Sequence, residues 1–180
     1  RDAQESRGLG DVYKRQRKES LQGDMKFISL LEKMGCTVSW ERDGRQNLWL
    51  KGPDGKLKGM EVKMSDFSDQ ALTLAAIAPF ADSEVTITGI AHIRGQESDR
   101  IKVIVDELAK MGILCNELPD GVKIHPGTPK NTNIETYNDH RVAMSFAVTG
   151  LAGDGMTILN PMCCKKTFAG FFDEIDRLEE

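Results

Sequence analysis

A phrase that occurs twice constrains this chain more than anything else in it. Phe27, Leu30, Leu31 and Met34 fall at helical spacing and stop at Gly35, after which Cys36-Thr-Val-Ser-Trp40 alternates like a strand. Ile101, Ile104, Val105, Leu108 and Met111 fall the same way, stop at Gly112, and lead into Ile113-Leu-Cys115. An apolar stripe, a glycine and a β-prone run predict helix, cap and strand. Met34 and Met111 mark the same place in the two copies.

A second phrase is interleaved with the first. Asp69 opens an alanine- and leucine-rich run that ends in Val85-Thr-Ile87, and Asp139 opens a similar run that ends in Met156-Thr-Ile158. A third helix of the first kind, with Phe168, Phe171, Phe172, Ile175 and Leu178 on one face, closes the chain with no strand after it. Each repeating unit is too small to bury its apolar faces alone, so the units must pack on one another. The expectation is an α/β chain of repeated β-α-β units, a partial domain with helices packed around small sheets. Residues 1–16 are polar, mixed in charge and without either period, and are expected to be a disordered or non-native leader to 17–180.

Composition removes several function classes. Of the 180 residues, 39% are hydrophobic, enough for a core. The net charge of -4 supplies no global basic field, which argues against nucleic acid and anionic membranes as partners. No apolar run approaches the roughly 20 residues of a membrane span, and a cytoplasmic location is expected. Cys36 and Cys115 stand apart, Cys163 and Cys164 are adjacent, and His92, His125 and His140 are scattered. These spacings chelate nothing, so reduced thiols and no metal are expected. The segments Glu41-Arg45, Gly52-Gly55 and Asp120-Gly121 carry turn chemistry and no catalytic role.

What chemistry there is sits before the helices. His92-Ile-Arg-Gly-Gln96-Glu97-Ser98-Asp99-Arg100 precedes the helix near Ile101, with Ser98 or Asp99 as its N-cap. Free N–H groups and the positive end of the dipole attract anions there, and Arg94 and Arg100 add full charges. A solvated capping box with salt bridges is the plainer alternative. Tyr137-Asn-Asp139-His-Arg141 precedes another apolar helix, where Arg141 opposes the dipole unless an anion or Asp139 meets it. Cys163-Cys-Lys165-Lys166-Thr-Phe168 sets a lysine before the last helix. Three cationic helix starts on repeated units suggest one convergent anion pocket.

Read together and in order, Gln22-Gly-Asp24 with Phe27 and Leu31-Glu-Lys-Met-Gly35, then Arg94 to Arg100, Tyr137 to Met144, and Lys166-Thr-Phe168, resemble the EPSP synthase family. The resemblance covers about Ser20 onward. The related UDP-N-acetylglucosamine enolpyruvyl transferases lack the Glu-Ser-Asp-Arg and Asn-Asp-His-Arg segments and are the nearest enzymatic alternative. A non-catalytic anion-binding α/β repeat module is the alternative from another class.

The resemblance implies a monomeric two-domain enzyme, each domain collecting three β-α-β units, with substrates in the cleft between them. It implies transfer of the enolpyruvyl group of phosphoenolpyruvate to the 5-hydroxyl of shikimate 3-phosphate by addition and elimination, without metal or organic cofactor. By motif position, Asp69 matches the carboxylate that bonds the shikimate hydroxyls and takes the 5-hydroxyl proton, and Glu97 the acid-base residue at C3 of phosphoenolpyruvate. Arg100, Arg141 and Lys166 match the phosphoenolpyruvate clamp. His92 and Gln96 stand where the family usually has an asparagine and a lysine facing shikimate 3-phosphate, a departure at both positions. The family's N-terminal contacts have no counterpart here, so the chain is expected to carry most of one domain and, alone, to turn over little.

Overall fold

The computed structural model describes residues 11–13, 23, 25–41 and 47–179, which divide into two compact units, Arg1–Lys58 and Gly59–Glu180. In the first unit, α1 (Met25–Lys33) buries Leu30 and half-buries Phe27 and Leu31, and Met34 is buried in the turn just after it, as the stripe requires. Gly35 ends it at φ +101°, its N–H donating to the Glu32 carbonyl (3.0 Å) and the Cys36 N–H to that of Leu31 (3.0 Å). This left-handed closing turn is one a side chain would strain. Strands β1 (Asp11–Tyr13), β2 (Thr37–Glu41) and β3 (Asn47–Lys51) form an antiparallel sheet in the order β1-β3-β2. Part of the expected leader therefore forms a strand, one too short to show a period in sequence. The rest of residues 1–16, and most of the Glu41–Arg45 turn, lie outside the described residues.

The second unit opens with β4 (Met60–Lys63), a 3-10 turn at Ser68–Gln70, α2 (Ala71–Ile77) and β5 (Val85–Thr88), with β5 parallel to β4. This is one β-α-β unit. Helix α3 (Arg100–Lys110) follows, then β6 (Cys115–Leu118) and β7 (Gly121–Ile124), and β7 pairs antiparallel with both β6 and β5, giving the order β4-β5-β7-β6. Gly112, at φ +77°, closes α3 with the same pair of hydrogen bonds that closes α1: its own N–H to Ala109 (3.0 Å) and that of Ile113 to Leu108 (2.9 Å). The strand after α3 begins at Cys115, later than expected, because Ile113 is spent completing this cap. The Asp120-Gly121 turn is structural, as expected, with Asp120 accepting from Gly89 N–H (3.1 Å) and Ile90 N–H (2.9 Å).

Strands β8 (Asn133–Ile134) and β9 (Thr157–Ile158) are parallel and joined through α4 (His140–Ala152), and α5 (Phe171–Glu179) ends the chain. The repeat read from sequence is thus visible as topology. The set β1-α1-β2-β3 shares its connections with β5-α3-β6-β7, and β4-α2-β5 shares its own with β8-α4-β9.

The packing that matters for function is between α2 and α4. Ala71, Leu72, Leu74, Ala75 and Ala76 of α2 are all buried, as are Val142, Ala143, Phe146 and Ala147 of α4. Small residues let the helices approach until the Thr149 hydroxyl donates to the Ala76 carbonyl at 2.8 Å. About two turns back along both helices, Arg141 meets Asp69. The helices therefore run side by side in one direction, with their N-termini together.

Candidate active site

Asp69 lies in the 3-10 turn before α2, and its side chain caps nothing there. Its carboxylate instead receives two arginines, Arg141 Nη2 at 3.0 Å and Arg100 Nη1 at 3.4 Å. Arg141 Nη1 also reaches the Asp69 carbonyl at 3.5 Å.

Arg100 is the first residue of α3 and is only 2% exposed. Its Nε donates to Asp139 Oδ2 at 2.9 Å and its Nη2 to Asp139 Oδ1 at 3.3 Å, a two-pronged bond. The remaining edge of the guanidinium faces Glu97 (3.0 Å), Gln96 and Asp69. His92 joins through the Ser68 hydroxyl, 2.8 Å from its Nε2. Asp99 is the N-cap of α3, accepting from Lys102 N–H at 3.1 Å, while Ser98 is used elsewhere.

Sequence reasoning missed the centre of this arrangement. Asp139 was readable as the residue that opens α4 and as a partner for Arg141, and it does accept the Arg141 backbone N–H at 2.9 Å. The Arg141 side chain, however, goes to Asp69. Asp139 is fully buried and also takes the Ser98 hydroxyl (3.0 Å) and the Arg100 guanidinium. Burial pulls its carboxyl up, but Arg100, the Arg141 N–H and Ser98 outweigh that and hold it below the usual carboxylate range. The only available signal was the Asp–x–Arg spacing, which cannot reveal a partner on a different helix.

Lys166 stands differently. It ends a 3-10 turn, Pro161–Lys166, and α5 starts only at Phe171, so it is not at a helix start as expected. Phe168 likewise precedes α5 and packs edge-on against Phe171, with ring centres 5.9 Å apart. The turn is held by buried Cys163 and Cys164, which pack with Ala143 near the start of α4. Lys166 itself is exposed, yet near enough to His140 that its charge, after burial and Arg141, helps keep that imidazole below its usual pKa.

The helix starts of α3 and α4 and the turn before α2 thus meet around Asp69, Glu97 and Asp139. Two buried or half-buried arginines and two outward carboxylates, Asp69 and Glu97, border an open surface. Such an edge can bind a multiply charged anion and place proton-exchanging carboxylates beside it. All four cysteines are free, and among the described residues no His, Cys, Asp and Glu group has the arrangement of a metal site. No helix among them is long and apolar enough to cross a membrane.

Comparison with known proteins bears on the whole of this region. A family model described as EPSP synthase (3-phosphoshikimate 1-carboxyvinyltransferase) matches residues 13–175. The 3-phosphoshikimate 1-carboxyvinyltransferase of Nostoc punctiforme is 45% identical over 163 residues, which are 91% of this chain and 37% of that protein. A second, from Halalkalibacterium halodurans, is 45% identical over 159 residues, 87% of this chain and 35% of its own. The chain spans little more than a third of the length of these curated relatives. Among solved structures, an EPSP synthase from Acinetobacter baumannii aligns with a TM-score of 0.74 and 30% identity over 83% of this chain and 38% of that one. The enolpyruvyl transferase NikO from Streptomyces tendae aligns with a TM-score of 0.68 at 18% identity over 85% of this chain and 34% of its own, a likeness of fold alone. With the repeat topology, the meeting of α2, α3 and α4, and a family match across residues 13–175, the chain belongs to the EPSP synthase family.

Proposed function

We propose that this chain supplies one wall of a site that transfers the enolpyruvyl group of phosphoenolpyruvate to the 5-hydroxyl of shikimate 3-phosphate. The observation that carries the reading is the sharing of Asp69 by Arg100 and Arg141, which come from the starts of two different helices. These cations are paired with internal carboxylates. Phosphoenolpyruvate, with a carboxylate and a phosphate, replaces Asp69 and Glu97 on the outward guanidinium edges, while Asp139 keeps Arg100 in place from behind.

That exchange frees the two carboxylates for proton transfer. Asp69 takes the proton of the shikimate 5-hydroxyl as its oxygen attacks C2, and Glu97 delivers a proton to C3. The tetrahedral adduct then returns a C3 proton to Glu97 and expels phosphate, whose growing charge Arg100, Arg141 and Lys166 stabilise. His92 and Gln96, on the same rim, face shikimate 3-phosphate, with Gln96 able to hydrogen-bond but not to add charge. The reaction needs no metal or organic cofactor in this scheme, and the reading carries with it a cytoplasmic, monomeric enzyme once complete, acting on small anions rather than nucleic acid.

Residues 17–180 are read as the C-terminal part of such an enzyme, most of one of its two domains. Catalysis needs both walls to orient substrates and exclude water. A steady-state assay of the isolated chain with both substrates is therefore expected to give little or no turnover. Replacing the matching segment of the Nostoc punctiforme relative by this chain is expected to give an active chimera. An inactive but folded chimera, or rapid turnover by the isolated chain, contradicts the proposal.

A further inference from the structure

The segment that delivers Asp139 and Arg141 is strained. Tyr137 (φ +52°) and Asn138 (φ +56°) are consecutive residues in the left-handed region, which side chains other than glycine occupy at a cost. Such a conformation persists only where its surroundings hold it. Besides local bonds within the turn, the group from another element that holds it is Glu107, a carboxylate of α3 that is fully buried and that the proposed reaction does not use.

Glu107 Oε1 accepts the Tyr137 hydroxyl at 2.8 Å, and its Oε2 accepts the Glu135 backbone N–H at 3.2 Å. Its remaining partner is Lys110 Nζ at 2.7 Å, on the surface of the same helix. Arg100 and Glu107 are about two helical turns apart, so they share the buried face of α3. Helix α3 therefore grips the 135–141 segment at two points, Glu107 on Glu135 and Tyr137, and Arg100 on Asp139. Burial and the Glu107 carboxylate both raise the Tyr137 phenol, which keeps it a donor.

We infer that Glu107 is a positioning residue: through Tyr137 it sets the turn that aims Asp139, and thereby the guanidinium of Arg100 and the start of α4, at the anion edge. Its consequence for catalysis rests on the enolpyruvyl-transfer reading; its geometric claim does not.

Hydrogen exchange in the full chain, followed by NMR, tests it without substrate. Two protons report on the aim, Arg100 Nε–H and Arg141 N–H, both bonded to Asp139. In Tyr137→Phe these two are expected to exchange about tenfold faster or more, relative to the amides of β5. Glu107→Gln, which removes a charge, is expected to do the same; if it lowers global stability, Tyr137→Phe carries the test, since it deletes only a hydroxyl. Lys110→Ala, which touches Glu107 but not the turn, is expected to leave both protons alone. Unchanged protection in Tyr137→Phe, or acceleration matched by β5, overturns the inference and leaves Glu107 with a merely structural role. So does an equal effect of Lys110→Ala. Failure of phosphoenolpyruvate to bind the folded chimera counts against the enolpyruvyl-transfer reading and does not touch this one.

Discussion

Arg100 and Lys166 are matched to the same ligand by motif, yet their surroundings are opposites. Arg100 is 2% exposed and wedged among Asp139, Glu97 and Asp69. Lys166 is exposed and makes no ion pair among the described residues. One cation is part of the framework; the other is held out on a turn, and only under the proposed reading do both serve one ligand. If the proposal holds, fold and function are coupled at the start of α3 and separable at the turn before α5.

Removing the framework cation should have the largest effect. Arg100→Ala leaves Asp139 buried with its main counter-charge gone, and such losses cost about 3–5 kcal/mol. Chemical denaturation of the chain is expected to show that loss; a shift under about 1 kcal/mol would mean that the Arg100–Asp139 pair is dispensable to the fold.

Acid should act on the same pair. Because the Asp139 carboxyl is held below the unfolded value of about 3.9, the native state binds fewer protons than the unfolded one. Its contribution is fully present above that pH and is lost as pH falls through the lower, folded value. Thermal melts from pH 6 to 2 are expected to steepen below about pH 4, and Asp139→Asn should flatten that slope while lowering stability at neutral pH.

Lys166→Ala sharpens the contrast from the other side. Stability should change by no more than about 0.5 kcal/mol, as for an exposed residue away from packing. Phosphoenolpyruvate affinity in the chimera should fall by about tenfold, roughly 1.4 kcal/mol. The smallest effect belongs to Lys102, whose pair with Asp106 at 2.8 Å lies on the exposed side of α3. Lys102→Ala should leave thermal stability and affinity essentially unchanged, because water and salt screen an exposed pair.

The repeat was legible because it is local. The Met-Gly closings at Gly35 and Gly112, the stripes before them and the alanine-rich α2 all follow from spacing and from the backbone freedom of glycine. The site was legible only by residue type. Arg100, Arg141, Asp69, Glu97, Gln96 and His92 lie on one connected rim, but no periodicity announces that Arg141 passes over Asp139 for Asp69, far back in the chain. Glu107 was hidden for the same reason. It occupies the buried face of α3 where a hydrophobic residue is expected, and the partners that matter, Glu135 and Tyr137, lie outside that helix. Lys166 was misplaced because Gly170 and the proline-led turn delay α5, while the run of phenylalanines suggests an earlier start.

The central claim is that arginines meeting at Asp69 form the clamp for phosphoenolpyruvate. The most direct measurement is kcat/KM for phosphoenolpyruvate in the chimera carrying this chain, with and without Arg141→Ala. Arg141 is a third exposed and bonds outward, so the fold should survive its loss. The account predicts a fall worth about 2–5 kcal/mol of binding to a desolvated charge, with the melting temperature nearly unchanged. An Arg141→Ala chimera that uses phosphoenolpyruvate as well as its parent would contradict it.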